Sequence, residues 1–391
     1  MTFDFDRPID RRRTNTSKWD NMLAATGVSP DDGLAMWVAD MDFEAPPAVN
    51  ATLRALAEHG VHGYFGDDRA YRAAVTGWLE SRHGWHTQPD WVLSAPGLVS
   101  AVAMCLQGLT APGDGVVLFT PVYHAFHRIV AANDRRVVQS ELALEDGRYR
   151  MDLDALAAQL DGSERMLILC SPHNPGGRVW SGDELRALGA FCVRHDLLLL
   201  SDEVHMDLVY PGHRHRMTAL AVPGIEDRLI TLVGPAKTFG INGALIGQIV
   251  IEHAPLRRKV AHALSAAGLG LNRAAAMMCT AAFAHGADWL DALIPYLDDN
   301  RRTFEQRVNA LPGIRCMPLD ATYLAWVDFS VTGMTREEFT RRVKEEARIA
   351  VNEGPSFGKG GENWLRFNLG TRRGLVDDAL ERLEHAFADL R

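Results

Sequence analysis

The chain predicts an α/β fold: a mixed, mostly parallel sheet flanked by helices, with a smaller α+β unit attached. Three observations predict it. Short runs apolar on both faces recur along the chain, helical patterns lie between them, and 391 residues at 47% hydrophobic supply enough apolar surface for a large core. Strands buried on both faces that alternate with helices belong to parallel sheets covered on both sides. A chain of this length also divides into roughly two domains.

Taken in order, Ala95-Pro96-Gly97-Leu98-Val99-Ser100 opens a helical pattern. The runs Val116-Val117-Leu118-Phe119, Met166-Leu167-Ile168-Leu169-Cys170 and Leu197-Leu198-Leu199-Leu200 each end in a turn or polar cluster and read as strands. Ser181 and Glu184 form a capping box that starts a helix running to His195. Leu229-Ile230-Thr231-Leu232-Val233 is a further strand, and Ile246–Ile251 follows it too closely for a helical crossover, so those two are predicted antiparallel. Polar residues interrupt the apolar stretch 260–284, which reads as buried helices rather than a bilayer span. From Asp288 a charged amphipathic helix runs to Asn309, followed by a strand near 322–327, a helix from Thr335 and a strand at Trp364–Asn368. The expected division is a large unit over 49–286 and a small unit built from the N-terminal arm 1–48 together with 287–391.

The formal charge of -9 and the lack of a basic run beyond Arg11-Arg12-Arg13 leave no footprint for nucleic acid. That triplet is expected to be a solvated or carboxylate-paired turn. Acidic residues in Met1-Thr2-Phe3-Asp4-Phe5-Asp6 stand where a secretory leader needs basic and apolar ones, so the expected location is the cytoplasm and no membrane partner is expected. Five scattered cysteines fit neither a disulfide framework nor a zinc site, and are expected reduced in or near the core. His213-Arg214-His215, beside Pro211-Gly212, lacks ligands at metal spacing and is expected to be a solvated loop. No metal is expected.

Lys237, just past the strand at 229–233 and among small and apolar neighbours, is the leading chemical candidate. An amine held there loses hydration, which favours its neutral, nucleophilic form and Schiff-base chemistry. Asp202 closes another strand at the sheet end where ligands gather, and a buried carboxylate there needs a cation such as a protonated pyridine nitrogen. Read from residues alone, Asp202 or Glu203 could equally cap the next element. His205 stands beside them. Ser171-Pro172-His173-Asn174-Pro175-Gly176-Gly177 makes a rigid turn that can hold the Asn174 amide toward the same face. The helix opening at Leu98 and Val99 offers backbone N–H groups suited to phosphate. Arg366, within the apolar run Trp364-Leu365-Arg366-Phe367, calls for an anion, and a substrate carboxylate would satisfy it bidentately.

These segments in this order resemble the fold type I, aspartate-aminotransferase-like enzymes that use pyridoxal phosphate. The N-terminal motifs Phe3-Asp4-Phe5-Asp6, Thr14-Asn15 with Lys18-Trp19-Asp20, Met36-Trp37-Val38-Ala39-Asp40-Met41-Asp42-Phe43 and Gly63-Tyr64, with Ser201-Asp202-Glu203-Val204-His205, are similar to the MalY/PatB group of carbon–sulfur β-lyases, often called cystathionine β-lyases. The resemblance runs nearly end to end. It implies Lys237 as the Schiff-base lysine, Asp202 as partner of the pyridinium nitrogen, and Asn174 with His205 near the ring hydroxyl. His205 stands where many aminotransferases place a tyrosine. Tyr123 would stack on the ring, the backbone at Leu98 and Val99 would hold the phosphate, and Tyr64 would reach it from the other subunit of a homodimer. Arg366 would receive the α-carboxylate of an amino-acid substrate.

Two positions depart from the resembled pattern: Ala236 replaces the usual serine before the lysine, and Gly240-Ile241-Asn242-Gly243-Ala244-Leu245 lacks the usual basic residue. Either backbone amides, Tyr64 and Thr238 are then left to carry the phosphate, or another basic residue compensates. The implied reaction is α,β-elimination of L-cystathionine or a related cysteine S-conjugate to a thiol, pyruvate and ammonia. The alternatives are an aminotransferase, and a regulatory binding protein on the same fold.

Overall fold

The computed structural model describes residues 3–390; Met1 and Thr2, at the head of the acidic N-terminal stretch, and Arg391 lie outside them. Its centre is a seven-stranded sheet. In chain order the strands are β2 (Val92–Ala95), β3 (Gly115–Thr120), β4 (Arg136–Glu141), β7 (Glu164–Cys170), β8 (Leu198–Asp202), β9 (Leu229–Val233) and β10 (Gly247–Val250), and their spatial order is β2-β10-β9-β8-β7-β3-β4. Strands β9, β8, β7, β3 and β4 run parallel to one another, whereas β10 runs antiparallel to both β9 and β2. The short β9–β10 link predicted this reversal.

Every residue of β3 and β9 is buried, as expected where helices cover both faces. One layer includes the helices Leu98–Leu109 and Ala254–Ala266, which pack on Val116, Leu118, Ile168, Leu200 and Ile230. The alternate residues Val117, Leu167 and Leu199 face the opposite layer, with Leu185 and Leu188 of the helix Gly182–Arg194. That helix carries the predicted capping box, with the Ser181 hydroxyl accepting from Glu184 N and the Glu184 carboxylate accepting from Ser181 N. The stretch predicted as buried helices falls in the second half of Ala254–Ala266 and in Arg273–His285 short of its last residue.

The small sheet orders as β11-β12-β15-β14, all antiparallel, from β11 (Arg315–Cys316), β12 (Leu324–Asp328), β14 (Asn352–Glu353) and β15 (Trp364–Asn368). The helix Ala287–Asn309 leads into it. Strand β1 (Leu34–Ala35) of the N-terminal arm pairs in parallel with β13 (Ile349–Ala350), so the arm is joined by backbone hydrogen bonds to the C-terminal segment. A hairpin of β5 (Ala143–Glu145) and β6 (Arg148–Arg150) projects from the large sheet's edge.

Among the described residues, no helix is long and apolar enough to cross a membrane. All five cysteines are free and buried. Arg11 and Arg12 of the basic triplet are paired with carboxylates, as expected. The histidine loop requires a correction: His213 sits 3.3 Å from Asp320, but His215 is buried with Nε2 2.7 Å from Glu203 Oε2. Glu203 is itself fully buried and therefore needs donors; His215, Ser201 Oγ and Thr218 N supply them.

Candidate active site

The carboxyl ends of β7, β8 and β9 open onto a cavity of about 540 Å³, walled by Asn174, Asp202, His205, Lys237, Tyr123, Leu98, Val99 and Arg366. Eight of the ten residues singled out from the sequence therefore converge on one place. Their convergence follows from topology, because neighbouring parallel strands deliver their following loops to the same edge.

Lys237 lies on the short helix Pro235–Thr238 that follows β9. Its Nζ donates to the carbonyl of Ala39 at 2.6 Å and to Asn242 Oδ1 at 2.9 Å. Burial pulls its pKa down to about 8, against the pull of Asp40 and Asp202 and with the help of Arg366. Asp202, 5% exposed, accepts from Val204 N at 3.1 Å. Burial pushes its carboxyl up to about 7, with the Val204 N–H and Lys237 opposing. Among the described residues no cation lies within ion-pair distance of it.

Arg366, on β15, is 2% exposed and donates to Asn174 Oδ1 at 2.9 Å, Asn352 Oδ1 at 2.6 Å and the carbonyl of Trp37 at 2.9 Å. Every acceptor is neutral, and burial lowers the pKa to about 10. Its guanidinium also lies over the Phe357 ring, 5.0 Å from the centroid. His205 is buried with Nδ1 unpartnered, and burial together with Lys237 and Arg366 holds its pKa well below the usual value, so the ring is neutral. Tyr123 presents a half-buried ring whose hydroxyl is pushed up by burial.

The helix Leu98–Leu109 begins at this wall after Gly97, whose φ of 86° is open to glycine at little cost. Gly247 permits its close approach, since a Cβ there would stand 2.4 Å from Leu98 Cδ2. The first-turn N–H groups thus face the cavity beside Lys237.

Two expected residues lie elsewhere. Thr238 is buried behind the wall and its Oγ1 donates to Asp207 Oδ2 at 2.7 Å, so its hydroxyl is not available to a phosphate. The helical turn that points Lys237 into the cavity points the next side chain away from it. Tyr64 is fully exposed at a separate concavity with Leu53, Phe65 and Arg273. Trp37, His124, Asn242, Leu245 and Asn352 also line the wall and were given no site role by the sequence. His124 adjoins Tyr123 and Asn242 falls in the segment already flagged for its missing basic residue, whereas Asn352 carried no local signal.

An amine, an uncompensated carboxylate, an uncompensated guanidinium and a helix N-terminus on one cavity are the complement of an amino acid and an anionic pyridine cofactor. The chain belongs to the aminotransferase class I and II family, which matches residues 34–383. Within that class it is of the fold type I MalY/PatB type. It is 38% identical to the cystathionine beta-lyase PatB of Bacillus subtilis over 98% of this chain and 100% of that one. It is 30% identical to the protein MalY of Escherichia coli, with 100% of both chains covered. Cystalysin from Treponema denticola, solved with a pyridoxal 5'-phosphate cofactor, superposes with a TM-score of 0.94 at 33% identity over 100% of both chains.

Proposed function

We propose that this protein is a pyridoxal-phosphate-dependent carbon–sulfur β-lyase that acts on L-cystathionine or related cysteine S-conjugates and releases a thiol, pyruvate and ammonia. The observation that carries the reading is the unpaired Asp202 carboxylate in the same wall as a Lys237 amine whose pKa is lowered to about 8. The similarity to PatB, a cystathionine beta-lyase over its full length, supports the reaction type.

The residues fit the cofactor. Asp202 lacks the cation that a protonated ring nitrogen would provide, Tyr123 offers a ring face, and the N–H groups at Leu98 and Val99 are placed for a phosphate. Asn174 and the neutral His205 would meet the ring's oxygen side. Pyridoxal phosphate, when bound, supplies a carbonyl for the substrate amine and an electron sink for charge left at Cα. Arg366 holds the substrate carboxylate; its three neutral acceptors orient the guanidinium without cancelling its charge. Lys237, neutral for an appreciable fraction near pH 8, removes the Cα proton, the thiolate departs from Cβ, and water converts the released enamine to pyruvate and ammonia.

Among the described residues, Lys237 and Arg366 are the two basic side chains, apart from histidine, that line the cavity. A homodimer in which a second copy brings its exposed Tyr64 to the phosphate completes the site. We infer the same division as above, a large unit over 49–286 and a small unit of 1–48 with 287–391, and a cytoplasmic setting in which the five free cysteines stay reduced.

The test supplies L-cystathionine without any keto acid and follows pyruvate. Steady release is expected. Turnover that begins only on adding 2-oxoglutarate would assign the site to transamination, the other chemistry of the family. Purified protein that stays colourless with excess cofactor would assign it to a binding role. Borohydride reduction of the loaded protein and peptide mapping should place the adduct on Lys237.

A further inference from the structure

Lys18, Asp40 and Asp42 belong to the N-terminal motifs and Arg11 to the basic triplet that precedes Lys18, yet none of the four lines the cavity. They form one ion cluster. Arg11 Nη1 and Nη2 donate to the two Asp40 oxygens at 2.9 Å each, and Nη1 also donates to Asp42 Oδ1 at 2.7 Å. The fully buried Lys18 donates to Asp42 Oδ2 at 2.8 Å and to the carbonyl of Asp40 at 3.1 Å, and stands 3.7 Å from Asp40 Oδ1. The Trp19 indole adds a bond to Asp42 Oδ1 at 3.3 Å.

The cluster grips a segment whose successive carbonyls are all engaged. Trp37 O accepts from Arg366 Nη2 at 2.9 Å, and Val38 O from Asn368 Nδ2 at 2.5 Å. Ala39 O accepts from Lys237 Nζ at 2.6 Å and the Tyr323 hydroxyl at 3.1 Å. Asp40 O accepts from Lys18 and from Asn368 Nδ2 at 2.7 Å, and Met41 O from Arg11 at 3.1 Å. The two side chains assigned to base and carboxylate binding are thus hydrogen-bonded to one strip of backbone, and that strip is fixed from behind by paired charges.

We propose that Arg11 and Lys18 are positioning residues for the reaction: by holding Asp40 and Asp42 they set the carbonyl row of Trp37–Met41, which aims Arg366 at the substrate carboxylate and Lys237 at the substrate Cα. The proposal rests on the lyase reading above. A neutral residue at position 11 leaves an uncompensated carboxylate in a poorly solvated place, where it acts strongly on nearby charge. The charged groups facing Lys237 are Asp40, Asp202 and Arg366, with the neutral His205 and Asn242 beside them. Asp40 freed of Arg11 holds the lysine proton more tightly, and a loosened row lets Arg366 swing from its aim.

The test uses Arg11→Gln, Lys18→Met, Arg11→Lys and the double variant Arg11→Gln with Asp40→Asn. In cofactor-free protein, acylation of Lys237 by an amine-selective reagent is followed across pH by peptide mass spectrometry. The midpoint is expected to rise by about half a pH unit or more in Arg11→Gln and to return to the wild-type value in the double variant. In loaded enzyme, KM for the cysteine conjugate is expected to rise about tenfold in Arg11→Gln and Lys18→Met, while cofactor affinity changes less than about twofold. A lowered urea midpoint with unchanged labelling midpoint and unchanged KM would mean a merely structural cluster and overturn the proposal. If Arg11→Gln does not fold, Arg11→Lys keeps the charge but breaks the fork: a raised KM with wild-type labelling supports the proposal, and a wild-type KM overturns it. Wild-type protein without elimination activity would sink the lyase reading instead, and the labelling arm would still decide the clamp.

Discussion

Asp202 and Asp207 stand five residues apart after the same strand and both carboxyl groups are buried, yet their acidities move in opposite directions. Among the described residues the Asp202 carboxyl has a single backbone N–H for company, and burial pushes it up to about 7. Burial pushes Asp207 up as well, but bonds from His83 Nε2 at 2.7 Å, Thr238 Oγ1 at 2.7 Å and Trp78 Nε1 at 3.1 Å more than offset it and leave the carboxyl below its usual value. The carboxylate requires that each of these atoms donate, which fixes His83 with its proton on Nε2. Burial alone therefore does not say what a carboxylate is for. One whose donors are all inside the chain holds the scaffold, and one left short of a cation is built around something that arrives later.

The contrast can be broken in order of size. Lys237→Ala, on the unpaired side, should lower the rate of pyruvate release by about 10³-fold or more while leaving the urea midpoint of the cofactor-free protein unlowered. A variant that keeps its turnover would remove Lys237 from the chemistry. Asp202→Asn in cofactor-free protein should raise stability at pH 8, by a difference on the order of 4 kcal/mol. The sign follows from the raised folded value: what the neutral carboxyl contributes is fully present below the ordinary 3.8 and is lost as pH rises through about 7. The gain should accordingly fade on acidification, and a less stable variant at pH 8 would mean that Asp202 already has its cation.

Asp207→Asn should do the reverse, with a loss on the order of 3 kcal/mol at pH 7 in urea titrations. Its folded value is depressed, so its contribution is present above 3.8 and disappears as pH falls through that lower value. An unchanged midpoint would show that the three donors are not held by charge. Smallest of all, Arg12→Ala should leave the midpoint within scatter, because Arg12 and Asp10 are paired but 46% and 62% exposed. A measurable drop there would show that pairing matters without burial.

The sequence was most informative where chemistry and periodicity coincide. Lys237 closely follows an apolar strand, Asp202 ends one and Arg366 interrupts one, so their burial and their need for partners could be read locally. Asp207 could not: it is one more polar residue in a turn that already holds Asp202, Glu203 and His205, and its partners Trp78 and His83 come from a helix more than a hundred residues away. The same blindness explains Thr238, which the local pattern could not tell from a phosphate ligand because its acceptor belongs to a different loop. His215 lies in a loop, as its place beside Pro211-Gly212 suggests, but the contact with the distant Glu203 that buries it left no local signal. The N-terminal motifs were visible as a signature, but the ion cluster behind them depends on tertiary distances that spacing does not encode.

The bond from Arg366 to Asn174 carries one more implication. A guanidinium can only give protons, so it claims the amide's oxygen and thereby settles which way round Asn174 sits. Only the NH₂ end remains to greet a guest, and that end welcomes an oxygen already stripped of hydrogen over one still wearing it. The arginine that greets the amino acid's acid group thus also chooses, at second hand, the ionic form in which the aromatic guest is welcomed.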